Sequence, residues 1–193
     1  PLPPGSFSFN NNMSPFTSTV ISFLSTIVLA GQVVFVVLLK LLVVRKLLPK
    51  NKIGKKYFPL VAENYVALIL IVSAVATIGS LSLSEVLGFN PCKLCWYQRI
   101  FMYPISIISF IGLIKNDNDI KKYILPLSIV GFAIAGYHIL VQLFPKILEC
   151  SDEVARCSAV EFAQYGYITI PVMSLTAFAL IIALSIFGFL KKK

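Results

Sequence analysis

Five long apolar runs organise the chain, at about residues 17–44, 64–83, 97–114, 123–143 and 168–190, with short polar connections between them. A helix rising 1.5 Å per residue needs ~20 such residues to cross a bilayer core about 30 Å thick. Strands of a membrane barrel would read as weak alternating stretches of ~10 residues. These runs are continuous and predict helices, which satisfy their backbone hydrogen bonds internally. The first run is too long for a signal-peptide core and has no basic residues before it, so it reads as an uncleaved span. Residues 1–16 are uncharged and rich in Pro, Gly, Asn and Ser, which predicts a disordered lead-in. Residues 45–60 read as a basic linker. The expected architecture is all-α and polytopic: a helix at 17–44, then a four-helix membrane domain over 61–193.

Composition strengthens this reading. Of 193 residues, 58% are hydrophobic and 13% charged, whereas a soluble domain carries roughly a quarter charged residues. The net charge of +9 could suggest a nucleic-acid partner, but the cations sit in clusters between apolar runs, so none is expected. Arg45, Lys46, Lys50, Lys52, Lys55 and Lys56 crowd the first connection. Lys115, Lys121 and Lys122 flank the third, and Lys191, Lys192 and Lys193 end the sequence. Positive residues stay cytoplasmic, so residues 84–96 and 144–167 are predicted to face outward.

Both outward segments carry a cysteine pair: Cys92 with Cys95, and Cys150 with Cys157. An even count on that side fits a compartment where disulfides persist. A C-x-x-C at a helix start is chemically specific, because unpaired backbone N–H groups and the helix dipole favour a thiolate there. Trp96 and Tyr97 suit the membrane–water interface. Arg99 follows Cys95 by four residues, on the same face and about 6 Å further along the axis. An ionisable group at that depth points to a site, here one that stabilises a thiolate or a developing oxyanion. The alternative is an arginine reaching up to lipid phosphates. His138 is the only histidine and is predicted at similar depth, either as a packed core residue or as a hydrogen-bonding and proton-handling group.

The loop between Cys150 and Cys157 is short. A disulfide closing it would stabilise a bundle by only about 2–3 kcal/mol, while exposure suits exchange with another protein's thiols. Glu149, Asp152 and Glu153 disfavour a nearby thiolate, and Arg156 offsets them locally. Zinc ligation by the four cysteines fits poorly, because six residues separate the second pair where two to four are usual. No metal is expected.

Four blocks together resemble the DsbB disulfide-bond formation family, in its short-loop, BdbC-like branch. They are P-C-K-L-C-W-Y-Q-R-I-F-M-Y-P (91–104), G-Y-H-I-L-V-Q-L-F-P (136–145), Cys150 with Cys157, and G-Y-I-T-I-P (166–171). The resemblance spans roughly residues 60–190 and implies a four-helix membrane bundle with two redox pairs, in a prokaryotic cell (inner) membrane with both pairs extracytoplasmic. It implies that Cys150 forms a mixed disulfide with a thioredoxin-like, DsbA-like partner and that Cys157 is its disulfide mate. Cys92 and Cys95 would reduce a quinone, ubiquinone or menaquinone, drawn from the membrane pool. Cys95, Arg99 and His138 would line its site. Three features depart from the pattern: the short second loop, Gln98 where some members carry an acidic residue, and the extra helix at 17–44. A vitamin-K-epoxide-reductase-like oxidoreductase is disfavoured by W-Y-Q-R directly after the C-x-x-C. A non-catalytic scaffold with structural disulfides leaves Arg99 unexplained.

Overall fold

A computed structural model of the chain describes residues 14–47, 52–144, 157, 158 and 160–190. Most of the predicted lead-in, the Cys150 position and the acidic stretch after it lie outside the described residues. Among the described residues, five helices are long and apolar enough to cross a membrane: α1 (Pro15–Leu47), α3 (Tyr65–Leu81, continued by a π-helical turn, Ser82–Val86), α4 (Lys93–Lys115), α5 (Lys121–Leu143) and α6 (Ile170–Leu190). They coincide with the five apolar runs. The stretch read as a linker forms a further short helix, α2 (Lys52–Glu63).

Local chemistry sets the helix ends. Ser14 caps α1 by accepting a hydrogen bond from the Thr17 amide at 3.2 Å, and Pro15, with no amide hydrogen to satisfy, opens the helix. Cys92 is the N-cap of α4, so Cys95 lies within its first turn. The far end of α4 closes on Asn116 in the left-handed conformation, φ 51°. There the Asp117 amide donates to the Gly112 carbonyl at 2.9 Å, a common way to satisfy last-turn carbonyls.

Helices α3, α4, α5 and α6 pack in a ring, with α3 against α4, α4 against α5, α5 against α6 and α6 back against α3. This is the expected four-helix bundle. Its centre is fully buried Tyr65, Ile69, Ile105, Ile124, Phe178, Ile181 and Phe187. Small residues let the backbones approach, as they do where no water drives helices together. At Gly131 on α5 an added Cβ would run into the Phe178 ring of α6. Buried Ser73, Ser109 and Ser128 return their hydroxyls to carbonyls of their own helices. The outer faces carry Ile71, Ile78, Ile107, Phe110 and Ile129, a surface matched to lipid.

Helix α1 lies outside the ring against α6, running in the same direction: Ser22 meets Gln164, and Gln32 meets Thr176. Helix α2 packs on α1 and α6 by burying Phe58 and Ala62, four residues apart. Phe58 packs on Phe187 with ring centres 5.0 Å apart, and the Arg45 guanidinium lies over the Phe58 ring at 3.4 Å from its centre.

Candidate redox site

The site forms where α4 begins. The Cys92 thiol points at Cys95 across 3.5 Å between sulfurs, and Cys92 is buried while Cys95 is partly open. The proton shared toward Cys95 Sγ, together with burial, pushes the Cys92 thiol up to about 12. Cys92 therefore keeps its proton in the reduced pair, and Cys95 is the sulfur presented to the neighbouring space.

Cys157 is almost fully buried in one cluster with Cys92, Leu94 and Val141, with Cys95 and Ile134 packed against it. The described half of the second pair therefore rests on the first. His138 joins them. Its Nε2 lies 3.1 Å from the Cys157 carbonyl oxygen and 3.7 Å from Cys92 Sγ, while its Nδ1 lies 3.1 Å from Gln98 Nε2. A carbonyl can only accept, so Nε2 carries the hydrogen. A neutral ring then offers Nδ1 as acceptor, which the Gln98 amide fills by donating. All three groups are buried, and the arrangement leaves no mismatch at the ring.

Arg99 is buried one turn beyond Cys95. Its Nε donates to Ser80 Oγ at 3.0 Å and its Nη2 to the Ser80 carbonyl at 2.9 Å. No carboxylate among the described residues pairs with it. The guanidinium sits 5.2 Å from the centre of the Trp96 ring. A buried cation held by neutral groups keeps most of its field available to an incoming negative charge.

Two cavities meet at Cys95 and Arg99, which line both. The larger, about 250 Å³, lies among α1, α3, α4 and α6 and is walled mostly by aliphatic side chains. The smaller, about 50 Å³, also touches Cys92, His138, Glu161 and Thr169. The predicted set thus comes together as Cys92, Cys95, Arg99, His138 and Cys157, with His138 between Cys92 and Cys157 and not among the residues of the larger cavity. Cys92 Sγ, Cys95 Sγ and a His138 ring nitrogen also lie within 4.8 Å of one another, a trio that could hold a metal ion. Sequence reasoning missed Ser80 and the Gln98 contact. Gln98 had a readable signal, since it is three residues after Cys95 and shares its face. Nothing local marks Ser80 as the arginine's partner.

A half-open C-x-x-C pair at the end of a helical membrane bundle, with a third cysteine packed on it, fits a membrane thiol–disulfide exchange protein. Comparison with known proteins agrees. The family described as "Disulfide bond formation protein DsbB" matches residues 62–188, and the chain belongs to that family. It is 41% identical over 132 residues to the SPbeta prophage-derived disulfide bond formation protein B of Bacillus subtilis, covering 68% of this chain and 89% of the relative. It is 44% identical over 115 residues to disulfide bond formation protein C of the same organism, covering 58% and 83%. A probable disulfide formation protein of Deinococcus radiodurans is 39% identical over 124 residues, covering 59% and 81%. No solved structure matches significantly. The chain is therefore a multi-pass membrane protein of disulfide bond formation.

Proposed function

We propose that the protein reoxidises a thioredoxin-like, DsbA-like dithiol partner outside the cell membrane and passes the electrons to membrane quinone, ubiquinone or menaquinone. The observation that carries this reading is Cys157 packed on the Cys92–Cys95 pair, whose Cys95 opens with Arg99 onto an apolar cavity inside the membrane domain. The clustering of Lys and Arg at the connections remote from the cysteines supports placing both pairs on the extracytoplasmic side.

In the first exchange a partner thiolate attacks the Cys150–Cys157 disulfide at Cys150, and the second partner thiol resolves the mixed disulfide. The partner leaves oxidised, and Cys150 and Cys157 hold two electrons and two protons as thiols. In the second exchange they reduce the Cys92–Cys95 disulfide. Cys157 needs little travel, because His138 already holds its backbone beside Cys92. In the last step the Cys92–Cys95 dithiol closes to a disulfide, giving up two electrons and two protons. A quinone would accept both and leave through the bilayer as quinol.

The cavity fits such an acceptor in kind: apolar walls, a reactive sulfur at one end and a cation beside it. Cys95 presents the reacting sulfur, and Arg99 stabilises negative charge developing beside it in a low-dielectric site. Ser80 fixes the guanidinium. Cys92 supplies the buried proton.

The test is purified protein with a reduced thioredoxin-like partner and a short-chain quinone, following quinone absorbance. Reduction that is abolished by Cys95→Ser and weakened by Arg99→Ala is the expected result. Intact disulfides that pass no electrons to any quinone would instead favour a structural role.

A further inference from the structure

Helix α1 lies wholly outside the region that defines the family, which begins at residue 62. Yet α1 is not an appended anchor. Leu24, Ile27, Val28 and Gly31 line the same 250 Å³ cavity as Cys95 and Arg99. The helix is seated closely there. Leu24 reaches toward Gly79 of α3, and Gly31 sits so near Leu180 of α6 that an added Cβ would lie 3.3 Å from its Cδ1. Polar contacts pin it to the segment that follows Cys157. Tyr167 donates to Gln32 Oε1 at 2.7 Å, the Thr26 and Tyr165 hydroxyls lie 3.2 Å apart, and Gln164 Nε2 donates to Ser22 at 3.4 Å. Val33 and Val37, which face away from the cavity, are exposed.

The cavity also contains an unmet polar group. Tyr103 follows Arg99 by four residues and lines the cavity, and its hydroxyl is buried with no hydrogen-bond partner among the described residues. A buried hydroxyl without a partner is costly, and side chains on a helix lean toward its N-terminus, here toward the Arg99 turn. The site thus combines a sulfur, a cation, an unpaired O–H donor and apolar walls, which is the complement of a flat apolar ring bearing carbonyl oxygens.

We propose that α1 is a built-in wall of the acceptor site, so that in this chain the quinone is bound between α1 and the family bundle, with the Tyr103 hydroxyl donating to one of its oxygens. The inference rests on the quinone reading and adds two things to it: residues outside the family region that determine acceptor affinity, and the tyrosine that orients the ring. The cavity is smaller than the ~300–1,000 Å³ usual for ligand pockets. It therefore holds the ring alone, and any isoprenoid tail leaves past the α1 side chains.

The test uses the full chain in lipid nanodiscs, titrated with a ubiquinone bearing a short alkyl tail. Binding is read from quenching of Trp96, the only tryptophan, and turnover from quinone reduction by a reduced thioredoxin-like partner. Ile27→Ala with Val28→Ala should raise the quinone Kd and KM about tenfold by removing apolar contacts. Tyr103→Phe, which keeps the shape, should raise them about fivefold. In both, kcat and the KM for the partner should stay within about twofold, as they do when only acceptor binding is weakened. Val33→Ala with Val37→Ala, on the exposed face, should change nothing. If wild type binds and reduces the quinone but the cavity-face variants match the exposed-face control, α1 is no part of the site and the inference falls alone. If wild type neither binds nor reduces it, the quinone reading falls and takes the inference with it.

Discussion

Replacing His138 with alanine tests the central joint of the site. The imidazole makes two hydrogen bonds of 3.1 Å, to the Gln98 side chain and the Cys157 carbonyl. Each such bond contributes about 1 kcal/mol net, so losing both withdraws ~2 kcal/mol from the state in which Cys157 rests on the first pair. At 1.36 kcal/mol per decade that is a ~30-fold drop in the docked population. The step it should slow is transfer from Cys150 and Cys157 to the Cys92–Cys95 disulfide. The assay is a single turnover: oxidised protein is mixed with reduced partner, quenched in acid at intervals, and tagged with a heavy maleimide to count thiols in each pair. The first exchange should keep its rate, and the second should slow by one to one and a half decades. Gln98→Leu, which removes only the orienting bond to Nδ1, should slow it by about fivefold. Equal slowing of both exchanges, or a second exchange within about twofold of wild type, would refute the idea that the imidazole docks Cys157.

Two further outcomes follow from the same geometry. Ser80→Ala removes one of the two bonds from Ser80 to the Arg99 guanidinium; a hydrogen bond to a charged group is worth about 1.5–3 kcal/mol, so the KM for quinone should rise by about one to two decades while the KM for the partner stays put. A raised pKa means that the neutral thiol persists as pH climbs, so alkylation of Cys92 in the reduced protein should show no inflection near the ordinary value of 9.0 and should accelerate only toward about pH 12, read by mass spectrometry across a pH series.

The spans were legible because a bilayer demands unbroken apolar length and little else competes with that signal. Their ends were less so. The apolar run begins near Tyr97, but α4 starts at Lys93, since a helix begins where the backbone leaves the extended conformation, here after Cys92 at ψ 171°, and not where hydropathy rises. That offset draws Cys95 from the edge of the helix into its first turn. Helix α2 was hidden by its lysines and by Pro59; it is held by Phe58 and Ala62 against α1 and α6, a tertiary cause invisible from the local pattern. The grouping of Cys92, Cys95 and Arg99 was readable because C-x-x-C followed by an in-register arginine is locally encoded. Their supports were not. Ser80 lies nineteen residues from Arg99 and Gln98 forty from His138, and only the packing of separate helices brings them together. The seating of the extra helix beside the cavity was unreadable for the same reason.

The pairing of α1 with α6 also bears on how the molecule comes into being. Ser22 and Gln164 are 142 residues apart, and Gln32 and Thr176 are 144 apart, so the first of the five spans to leave the ribosome waits for the last before it finds its place. At about 5–20 residues per second, that interval lasts roughly ten to thirty seconds. Throughout it, Ser22, Thr26 and Gln32 of α1 sit in lipid without the side chains they finally meet, while the cysteine pair of α4 is already made. The cavity between α1 and the bundle is thus the last feature to be completed during biosynthesis, and a nascent chain stalled before residue 164 would carry Cys92 and Cys95 beside an unfinished wall.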